Sequence, residues 1–310
     1  MGRGRNISRK VVAARRIGLV GCGRWGRNIL RDLRELGARV HVADPDPDAR
    51  GRAQGEGAAS VASEVTELPD ADGFVVAAGA AAHAALVAEL LPRGRPVFVE
   101  KPFTVDPADA RRLAAEAPDR IFVMDKWRYH PGVEALSTLG RSGELGAILG
   151  CRSLRFGGAL KVRDVDSVWT LAPHELSLGL ELLGGVPEAR EAHAEGARDA
   201  PTGLAASLGE APWQCFEVSA ARSVYRREVE LIGERGRAAL LDPYADHISV
   251  RIGPGAGQQR AIETEPPLRR ELRAFLGHLD GGPPPRTRAE DGATVVARLW
   301  ELRRLAGLSG

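Results

Sequence analysis

Lysine is scarce in this sequence. Of the 43 basic residues only four are lysines, namely Lys10, Lys101, Lys126 and Lys161. A GC-rich coding bias explains the preference for arginine, but not why Lys101 follows the apolar run VFVE directly before a proline. Because a lysine ammonium can release its proton and an arginine guanidinium cannot, this position indicates a chemical role. A surface lysine paired with Glu100 is the alternative.

The sequence also has few cysteines, no long apolar segment and a small net charge. The three cysteines, Cys22, Cys151 and Cys215, lie far apart without C-x-x-C spacing, which argues against a disulfide framework or a thiolate zinc site and fits a reducing cytosol. No segment approaches the roughly 18 apolar residues of a membrane span. The net charge of +2 gives no indication of a nucleic-acid or membrane partner. The histidines lack metal-ligand spacing, so no metal is expected.

The sequence opens on a basic segment, MGRGRNISRKVVAARR, at positions 1–16. No apolar segment follows it, so we do not interpret it as a signal peptide. We expect a flexible, solvated lead-in and a cytoplasmic protein. An arm that contacts an anionic partner stays open as an alternative.

The remaining sequence changes its pattern near residue 125. Over 17–124, short apolar strands alternate with amphipathic helices, which predicts a doubly wound parallel sheet of the Rossmann type. Over 125–310, longer alternating segments predict a second α/β domain with a large, mostly antiparallel open sheet and a helix at about 173–184. Helical patterns return over about 268–306, and these final helices are candidates to pack back on the first domain. The predicted fold class is therefore α/β with two domains.

A glycine-rich loop follows the first predicted strand. GLVGCGRWGRNIL places Gly21, Gly23 and Gly26 in G-x-G-x-x-G spacing, with Arg24 and Trp25 between the last two glycines. In such a loop the first glycine allows a tight turn, the second lets backbone approach a pyrophosphate, and the third lets helix and strand pack closely. The helix N-terminus then favours phosphate. A plain strand–helix turn is the alternative.

Asp44 lies at the end of the second predicted strand, one helix beyond the glycine loop. A carboxylate there accepts hydrogen bonds from an adenosine ribose diol and repels a 2′-phosphate. The sequence therefore predicts NAD as the cofactor, with NADP as the weaker alternative.

Three further stretches carry a resemblance: VFVEKPFTVD, DKWRYHPGVEALSTLGRSGELGAI and VWTLAPHELSLGLELLGGVPE. With the glycine loop, they resemble the Gfo/Idh/MocA family (glucose–fructose oxidoreductase, inositol dehydrogenase and MocA) over about residues 17–306. The resemblance implies an NAD(P)-dependent dehydrogenase or reductase that acts on CH–OH groups of a sugar, cyclitol or related compound. It also implies a homodimer or homotetramer formed through the second sheet.

Lys101 is the first predicted catalytic residue. It follows the carboxyl end of a predicted parallel strand, where ligands bind in such sheets. There its ammonium would hold the reacting oxygen and stabilise developing alkoxide charge. The resemblance assigns Ala78, His83, Glu100 and Lys101 to the cofactor site as well.

His174 is the second predicted catalytic residue, because a histidine at this point of the family motif acts as general base or acid. Pro173 suits the first turn of a helix, whose N-terminal charge would keep the imidazole neutral. The family often has aspartates at the positions of Thr170 and Ser177. Candidate substitutes here are Asp166 and Glu175. A purely structural histidine is the alternative.

The predicted substrate contacts come from three segments. Arg128 is the first candidate, and the others are Lys101, Lys126, Trp127, Trp169, Thr170 and His174. The departures at Thr170 and Ser177 favour a sugar other than inositol, such as an activated or amino sugar. Two further functions stay open: reduction of a nonsugar keto or imine metabolite, and a dinucleotide-binding sensor or scaffold without catalysis.

Overall fold

The computed structural model describes residues 14–157 and 164–309. It contains a six-stranded sheet and an eight-stranded sheet. Most of the predicted lead-in, residues 1–13, lies outside the described residues, as does Lys161. The first strand begins at Arg16, so the end of the predicted lead-in already belongs to the first sheet.

The first sheet is parallel throughout. Its strands are β1 (Arg16–Val20), β2 (Arg39–Ala43), β3 (Ser60–Ala62), β4 (Gly73–Val76), β5 (Val97–Glu100) and β6 (Ile121–Met124). They are arranged in the order β3-β2-β1-β4-β5-β6, the doubly wound order that binds ligands where the winding reverses, between β1 and β4. All residues of β4, β5 and β6 are buried, because the sheet is covered on both faces.

Helices connect these strands. They are α1 (Arg24–Glu35), α2 (Pro47–Gly55), α3 (His83–Leu90) and α4 (Pro107–Glu116). The buried residues of α1, such as Ile29, Leu30 and Leu33, recur at helical spacing and pack with β1 in one apolar cluster. This packing fixes the N-terminus of α1 directly after the glycine loop.

The second sheet is mostly antiparallel, as predicted. Its strands are β7 (Ile148–Phe156), β8 (Ala189–Ala197), β9 (Ala200–Leu208), β10 (Trp213–Ser219), β11 (Arg226–Gly233), β12 (Gly236–Leu240), β13 (His247–Ile252) and β14 (Gln258–Ala261). The order is β14-β13-β12-β11-β7-β10-β9-β8, and among the described strands of this sheet only β7 and β10 pair in parallel. Two helices, α5 (Pro131–Ser142) and α6 (Ser167–Leu182), pack against this sheet.

The predicted start of α6 was wrong. The helix begins at Ser167 rather than near Pro173, because the Asp166 carboxylate caps it by accepting hydrogen bonds from the backbone of Val168 and Trp169 at 2.9 and 3.1 Å. Pro173 lies inside the helix. His174 is therefore in the middle of α6 and not at its N-terminus.

The last two helices, α7 (Pro267–Leu279) and α8 (Ala289–Leu305), return to the first sheet. The Phe275 ring of α7 stacks on Phe98 of β5 with centroids 4.9 Å apart. In α8, Gly292 lies so close to Val123 and Phe103 that a Cβ would collide with the Val123 side chain. The C-terminal helices thus form part of the packing of the parallel sheet.

Candidate active site

A cavity of about 920 Å³ lies between the two sheets. On one side it is lined by residues that follow strands of the first sheet, including Trp25, Ala78 and Lys101. On the other side it is lined by α6 and by the second sheet, through residues such as His174 and Arg227. A volume of this size is typical of ligand sites.

The glycine loop enters this cavity from β1. Gly21 has φ of +86°, and a Cβ there would lie 2.6 Å from the backbone nitrogen of Ala78. A Cβ on Gly26 would collide with the carbonyl oxygen of Gly21. Gly23, by contrast, has nothing within 4 Å of the position of its Cβ. The loop is therefore tightly packed at Gly21 and Gly26. At Gly23 it is open, next to the first backbone amides of α1, which have no acceptor within the helix.

Asp44 ties the end of β2 to this loop. Its carboxylate accepts a hydrogen bond from the Cys22 backbone at 2.6 Å and another from the Asp46 backbone at 2.9 Å. The side chain is 8% exposed. Asp44 thus keeps the glycine loop in register with β2 and leaves a partly accessible carboxylate beside it.

Glu100 and Lys126 hold the indole of Trp25 in place. Glu100, the last residue of β5, accepts a hydrogen bond from the indole N–H of Trp25. The ammonium of Lys126 lies 4.2 Å from the Trp25 ring centroid, a distance at which cation and ring attract. Burial lowers the pKa of Lys126, and the nearby Glu100 opposes that shift.

Lys101 joins the first sheet to α6. Its ammonium donates a hydrogen bond to the carbonyl oxygen of Thr170 at 3.0 Å. Thr170 lies one helical turn before His174 in α6, so the two predicted catalytic residues meet at one cavity although they lie far apart in sequence.

His83 and Ala78 form the wall beside Lys101. The Nδ1 atom of His83 lies 2.8 Å from the carbonyl oxygen of Pro102, and Nε2 lies 3.2 Å from that of Ala78. The ring is 1% exposed, and burial lowers its pKa. A neutral imidazole carries one N–H, so His83 donates to one of these two carbonyls while it packs between the Lys101–Pro102 segment and the loop after β4.

His174 faces a carboxyl group that the sequence patterns did not reveal. Its Nδ1 atom lies 3.7 Å from Oδ1 of Asp125, the residue directly after β6. Neither atom has a hydrogen-bond partner among the described residues. The gap is wider than a hydrogen bond.

The electrostatics of this pair follow from burial. Burial raises the pKa of Asp125 to about 7, although the nearby Ser177 hydroxyl and the charge of Arg128 favour the carboxylate. Burial also holds the pKa of His174 well below its usual value, and the charges of Lys101 and other cations act in the same direction. The imidazole is thus neutral, but because of burial and neighbouring cations and not because of a helix N-terminus.

The sequence of this chain is similar to those of known oxidoreductases. Residues 15–122 match the model of an oxidoreductase family with an NAD-binding Rossmann fold. An inositol 2-dehydrogenase from Acidothermus cellulolyticus is 31% identical over 248 residues, which cover 73% of this chain and 72% of that protein.

The chain belongs to the Gfo/Idh/MocA oxidoreductase family.

Two further relatives extend the similarity over nearly the whole chain. Inositol 2-dehydrogenase 2 from Paenarthrobacter aurescens is 27% identical and covers 91% of this chain and 94% of its own length. A solved structure, UDP-N-acetylglucosamine 3-dehydrogenase (GnnA) from Acidithiobacillus ferrooxidans, superposes with a TM-score of 0.83 at 20% identity, covering 95% of this chain and 98% of that one. The latter likeness establishes the shared fold.

Within this Gfo/Idh/MocA chain, the two candidates for the missing carboxylate have other partners. Asp166 caps α6 and forms an ion pair with Arg303 at 2.8 Å. Glu175 forms a buried ion pair with Arg155. Ser177, at the second position where the family often has aspartate, donates its hydroxyl to the carbonyl oxygen of His174 at 2.8 Å and lies beside Asp125. The carboxyl group beside His174 thus comes from the first sheet and not from α6.

The structure does not bring two predicted substrate residues to the cavity. The Arg128 guanidinium turns away and contacts Glu181 at 3.3 Å and the carbonyl of Arg286 at 3.0 Å, because these groups satisfy its donors inside the protein. Trp169 is 4% exposed and packs in the core beside Arg303. Trp127 does line the cavity, where its ring lies 4.4 Å from the Arg155 guanidinium.

Cavity residues from the second half of the chain were missed. Arg155 and Arg227 lie on strands of the second sheet, and Tyr225 and Tyr244 lie in the loops beside its strands. For the two arginines the only sequence signal is the alternation of the strands, which does not say which face meets the first domain. Asp125 had a readable signal: like Asp44, it is an acidic residue directly after a buried parallel strand.

The described residues show neither a candidate metal site nor a candidate membrane span. No group of three or more histidine, cysteine or acidic side chains is placed to hold a metal ion. In the same part of the chain, no helix combines the length and apolar character needed to cross a membrane.

Proposed function

We propose that this oxidoreductase transfers a hydride between NAD and a ring carbon of a sugar, a cyclitol, or an activated or amino sugar. The main support is the meeting of Lys101 and His174 at one cavity, through the 3.0 Å hydrogen bond from Lys101 to Thr170. Two relatives, an inositol 2-dehydrogenase and a UDP-N-acetylglucosamine 3-dehydrogenase, also support a hydroxyl-bearing ring as substrate.

The residues around the glycine loop fit a dinucleotide. The open space above Gly23 and the α1 amides suit the pyrophosphate, with Arg24 beside them. Asp44 suits the adenosine ribose, and Trp25, Ala78 and Glu100 border the cavity where the nicotinamide would enter. When bound, the cofactor accepts or supplies the hydride.

The NAD preference rests on charge at the end of β2. Asp44, Asp46 and Asp48 lie close together in sequence, and a 2′-phosphate near them would meet repulsion. We therefore propose tighter binding of NADH than of NADPH.

Lys101 is proposed to hold the reacting oxygen. Its ammonium already reaches a neutral carbonyl of α6, and an alkoxide forming nearby would attract it more strongly than that carbonyl does. This interaction grows as charge develops, so it lowers the barrier rather than merely tightening binding.

His174 is proposed to take the hydroxyl proton during oxidation. With Nδ1 directed toward Asp125, Nε2 is the atom left to accept that proton. Asp125 as a carboxylate would then accept the Nδ1–H and stabilise the charged ring, so we assign Asp125 the role of positioning residue. Reduction runs the same proton transfers backwards.

Assembly is proposed from exposed apolar residues of the second sheet, and location from the cysteine pattern. Leu149 on β7 and Ile252 on β13 are about two-fifths exposed, at 39% and 41%, which supports a homodimer or homotetramer through the second sheet. Sedimentation of a single monomeric species would contradict this. A cytoplasmic location stays a prediction from the cysteine pattern, and a fractionation experiment with a tagged chain would test it.

The function is tested by following reduced nicotinamide absorbance with purified protein, both nicotinamide cofactors, and a panel of sugars, cyclitols, nucleotide sugars and nonsugar ketones. We expect turnover of a ring compound with NAD, and a loss of about 100- to 10,000-fold in kcat for Lys101→Ala and for His174→Ala. Both variants should still bind NADH. Arg226→Gln is the control, because Arg226 pairs with Glu228 at the surface.

The outcomes separate the alternatives. Undiminished turnover in both alanine variants would remove the roles assigned to Lys101 and His174. NADH binding without turnover on the whole panel would favour a sensor. Tighter binding of NADPH than of NADH would contradict the role of Asp44.

A further inference from the structure

Two cations of the cavity wall form no ion pair with a carboxylate in the part of the chain that the structure describes. Arg227 lies on β11 and Lys126 follows β6, and both line the cavity together with His174. Within residues 14–157 and 164–309, neither forms an ion pair with an aspartate or a glutamate. The stretches 1–13 and 158–163 contain no acidic residue at all.

The guanidinium of Arg227 is held by neutral groups. Its Nη1 donates to the carbonyl oxygens of Phe156 and Arg226, the latter at 2.7 Å, and its Nη2 donates to that of Gly157 at 3.2 Å. These bonds fix the orientation of the side chain, and because their acceptors are neutral they do not offset its positive charge.

Two of the four acidic residues that line the cavity are held in ion pairs. Glu263 pairs with Arg270 at 2.8 Å, and Glu265 pairs with Arg273 at 2.6 Å. Asp164 accepts a hydrogen bond from the Ala81 backbone at 3.0 Å, and Glu100 accepts the indole N–H of Trp25 and also acts on the charge of Lys126. The charge of Arg227 therefore faces the cavity, where a ligand anion could meet it, and Lys126 adds a second cation that it shares with Glu100.

We propose that the substrate carries a carboxylate or a phosphate group, bound by Arg227 with Lys126 supplying a second positive charge. The inference rests on the proposed function, since it names the chemical class of the molecule that shares the cavity with the nicotinamide. Arginine suits this role because its planar fork presents two N–H donors to two anion oxygens.

The cofactor phosphates do not account for these cations. The dinucleotide phosphates belong at the glycine loop, which carries its own Arg24. Arg227 and its neighbour Tyr225 instead belong to the second sheet, on the side of the cavity that α6 and His174 share.

A bound anionic substrate would also make the His174 imidazole more basic. The charges of Lys101, Arg155, Lys126 and Arg227 all depress the pKa of His174. A bound anion would offset part of that charge and raise the basicity of the imidazole only when substrate is present. Binding and proton abstraction would thereby be coupled.

The test measures binding to the NADH-loaded protein by calorimetry. The probes are matched pairs: glucuronate and glucose 1-phosphate each against glucose, and UDP-N-acetylglucosamine against N-acetylglucosamine. We expect at least one acidic member to bind about 10- to 100-fold more tightly than its neutral partner. Arg227→Gln should abolish most of that difference, Arg227→Lys should keep part of it, and Arg226→Gln should keep all of it.

The pattern across the pairs assigns the source of the anion. Preference for glucuronate alone indicates a carboxylate, and preference for the phosphate-bearing probes indicates a phosphate. Neutral sugars binding as tightly as all of their acidic partners would overturn the inference, as would an equal loss of both partners in Arg227→Gln.

Turnover with the same pairs separates this inference from the proposed function. Turnover of neutral sugars only, with no acidic preference, overturns the anion site and leaves the oxidoreductase activity standing. Acid-selective binding that depends on Arg227, without turnover of any pair, supports the anion site and removes the proposed reaction.

Discussion

The two sheets meet the cavity with different chemistry. The parallel sheet contributes backbone amides, an open glycine and residues at strand ends, such as Gly23, Asp44 and Lys101. The antiparallel sheet contributes long side chains, such as Arg155 and Arg227. Backbone recognition suits an invariant phosphate-bearing cofactor, whereas exchangeable side chains suit a substrate that differs among relatives with one fold.

The prediction with the largest expected effect concerns stability. It tests whether the parallel sheet depends on packing of the C-terminal helix α7. Phe275 is fully buried and stacks on Phe98, although α7 lies near the far end of the sequence from β5. Phe275→Ala removes this contact and leaves a cavity, so we expect a loss of about 3–4 kcal/mol in unfolding free energy. The thermal midpoint should fall by roughly 5–10 °C.

The control for this variant is Leu305→Ala at the end of α8, where the side chain is 45% exposed. It should change the midpoint by no more than a degree or two. If Phe275→Ala were equally mild, α7 would not be part of the core of the cofactor-binding half.

The second prediction concerns Asp125, the point where the parallel sheet supplies a side chain to α6. Asp125→Asn removes the carboxylate that faces His174, and we expect kcat for oxidation to fall about 10- to 100-fold with NADH affinity unchanged. Because the pKa of Asp125 is raised to about 7, wild-type kcat should rise with pH through about 7. The asparagine variant should lack this limb.

Stability gives an independent readout of the same carboxyl group. A folded-state pKa raised from 3.8 to about 7 means that the folded state holds its proton more tightly than the unfolded chain does. This stabilisation is complete below the unfolded pKa and is lost as the pH rises from there through about 7. Relative to wild type, Asp125→Asn should therefore gain stability over that pH range.

The surface variant Asp119→Asn is the control for both readouts and should show neither effect, since the Asp119 side chain is 85% exposed. An unchanged pH profile of kcat in Asp125→Asn would contradict the pairing with His174.

The smallest expected effect concerns the open face of the glycine loop. Gly23 has an ordinary negative φ of −66° and no neighbour near its Cβ position, so Gly23→Ala should fold normally. Its methyl group would project where we place the pyrophosphate, and NADH affinity should fall roughly tenfold. Gly51→Ala is the matched control, since Gly51 is also open but lies on α2, and it should bind NADH as the wild type does.

The functional residues of the parallel sheet were predictable because local sequence spacing determines where they lie. The glycine positions, Asp44 and Lys101 each follow a buried strand, and strand ends in a parallel sheet meet at one edge. The environment of His174 was not predictable in the same way. Asp125 reaches it from the end of β6, far from α6 in sequence, and several of the cations around it come from the other sheet.

The two errors have different origins. Pro173 suggested a helix start, but the capping carboxylate of Asp166, itself a local signal, begins α6 well before it. Arg128 looked available for substrate, but Glu181 and residues 286–291, far from it in the sequence, supply its partners. Only the second error depends on partners that the local pattern does not contain.

The most direct test of the account is a crystal structure of this protein with NADH. We expect the pyrophosphate over Gly23 and the nicotinamide between Trp25 and α6, with its reactive carbon facing a space that Lys101 and His174 border within roughly 4 Å, the separation that hydride and proton transfer require. A nicotinamide bound elsewhere, with Lys101 and His174 directed away from it, would contradict the proposed chemistry.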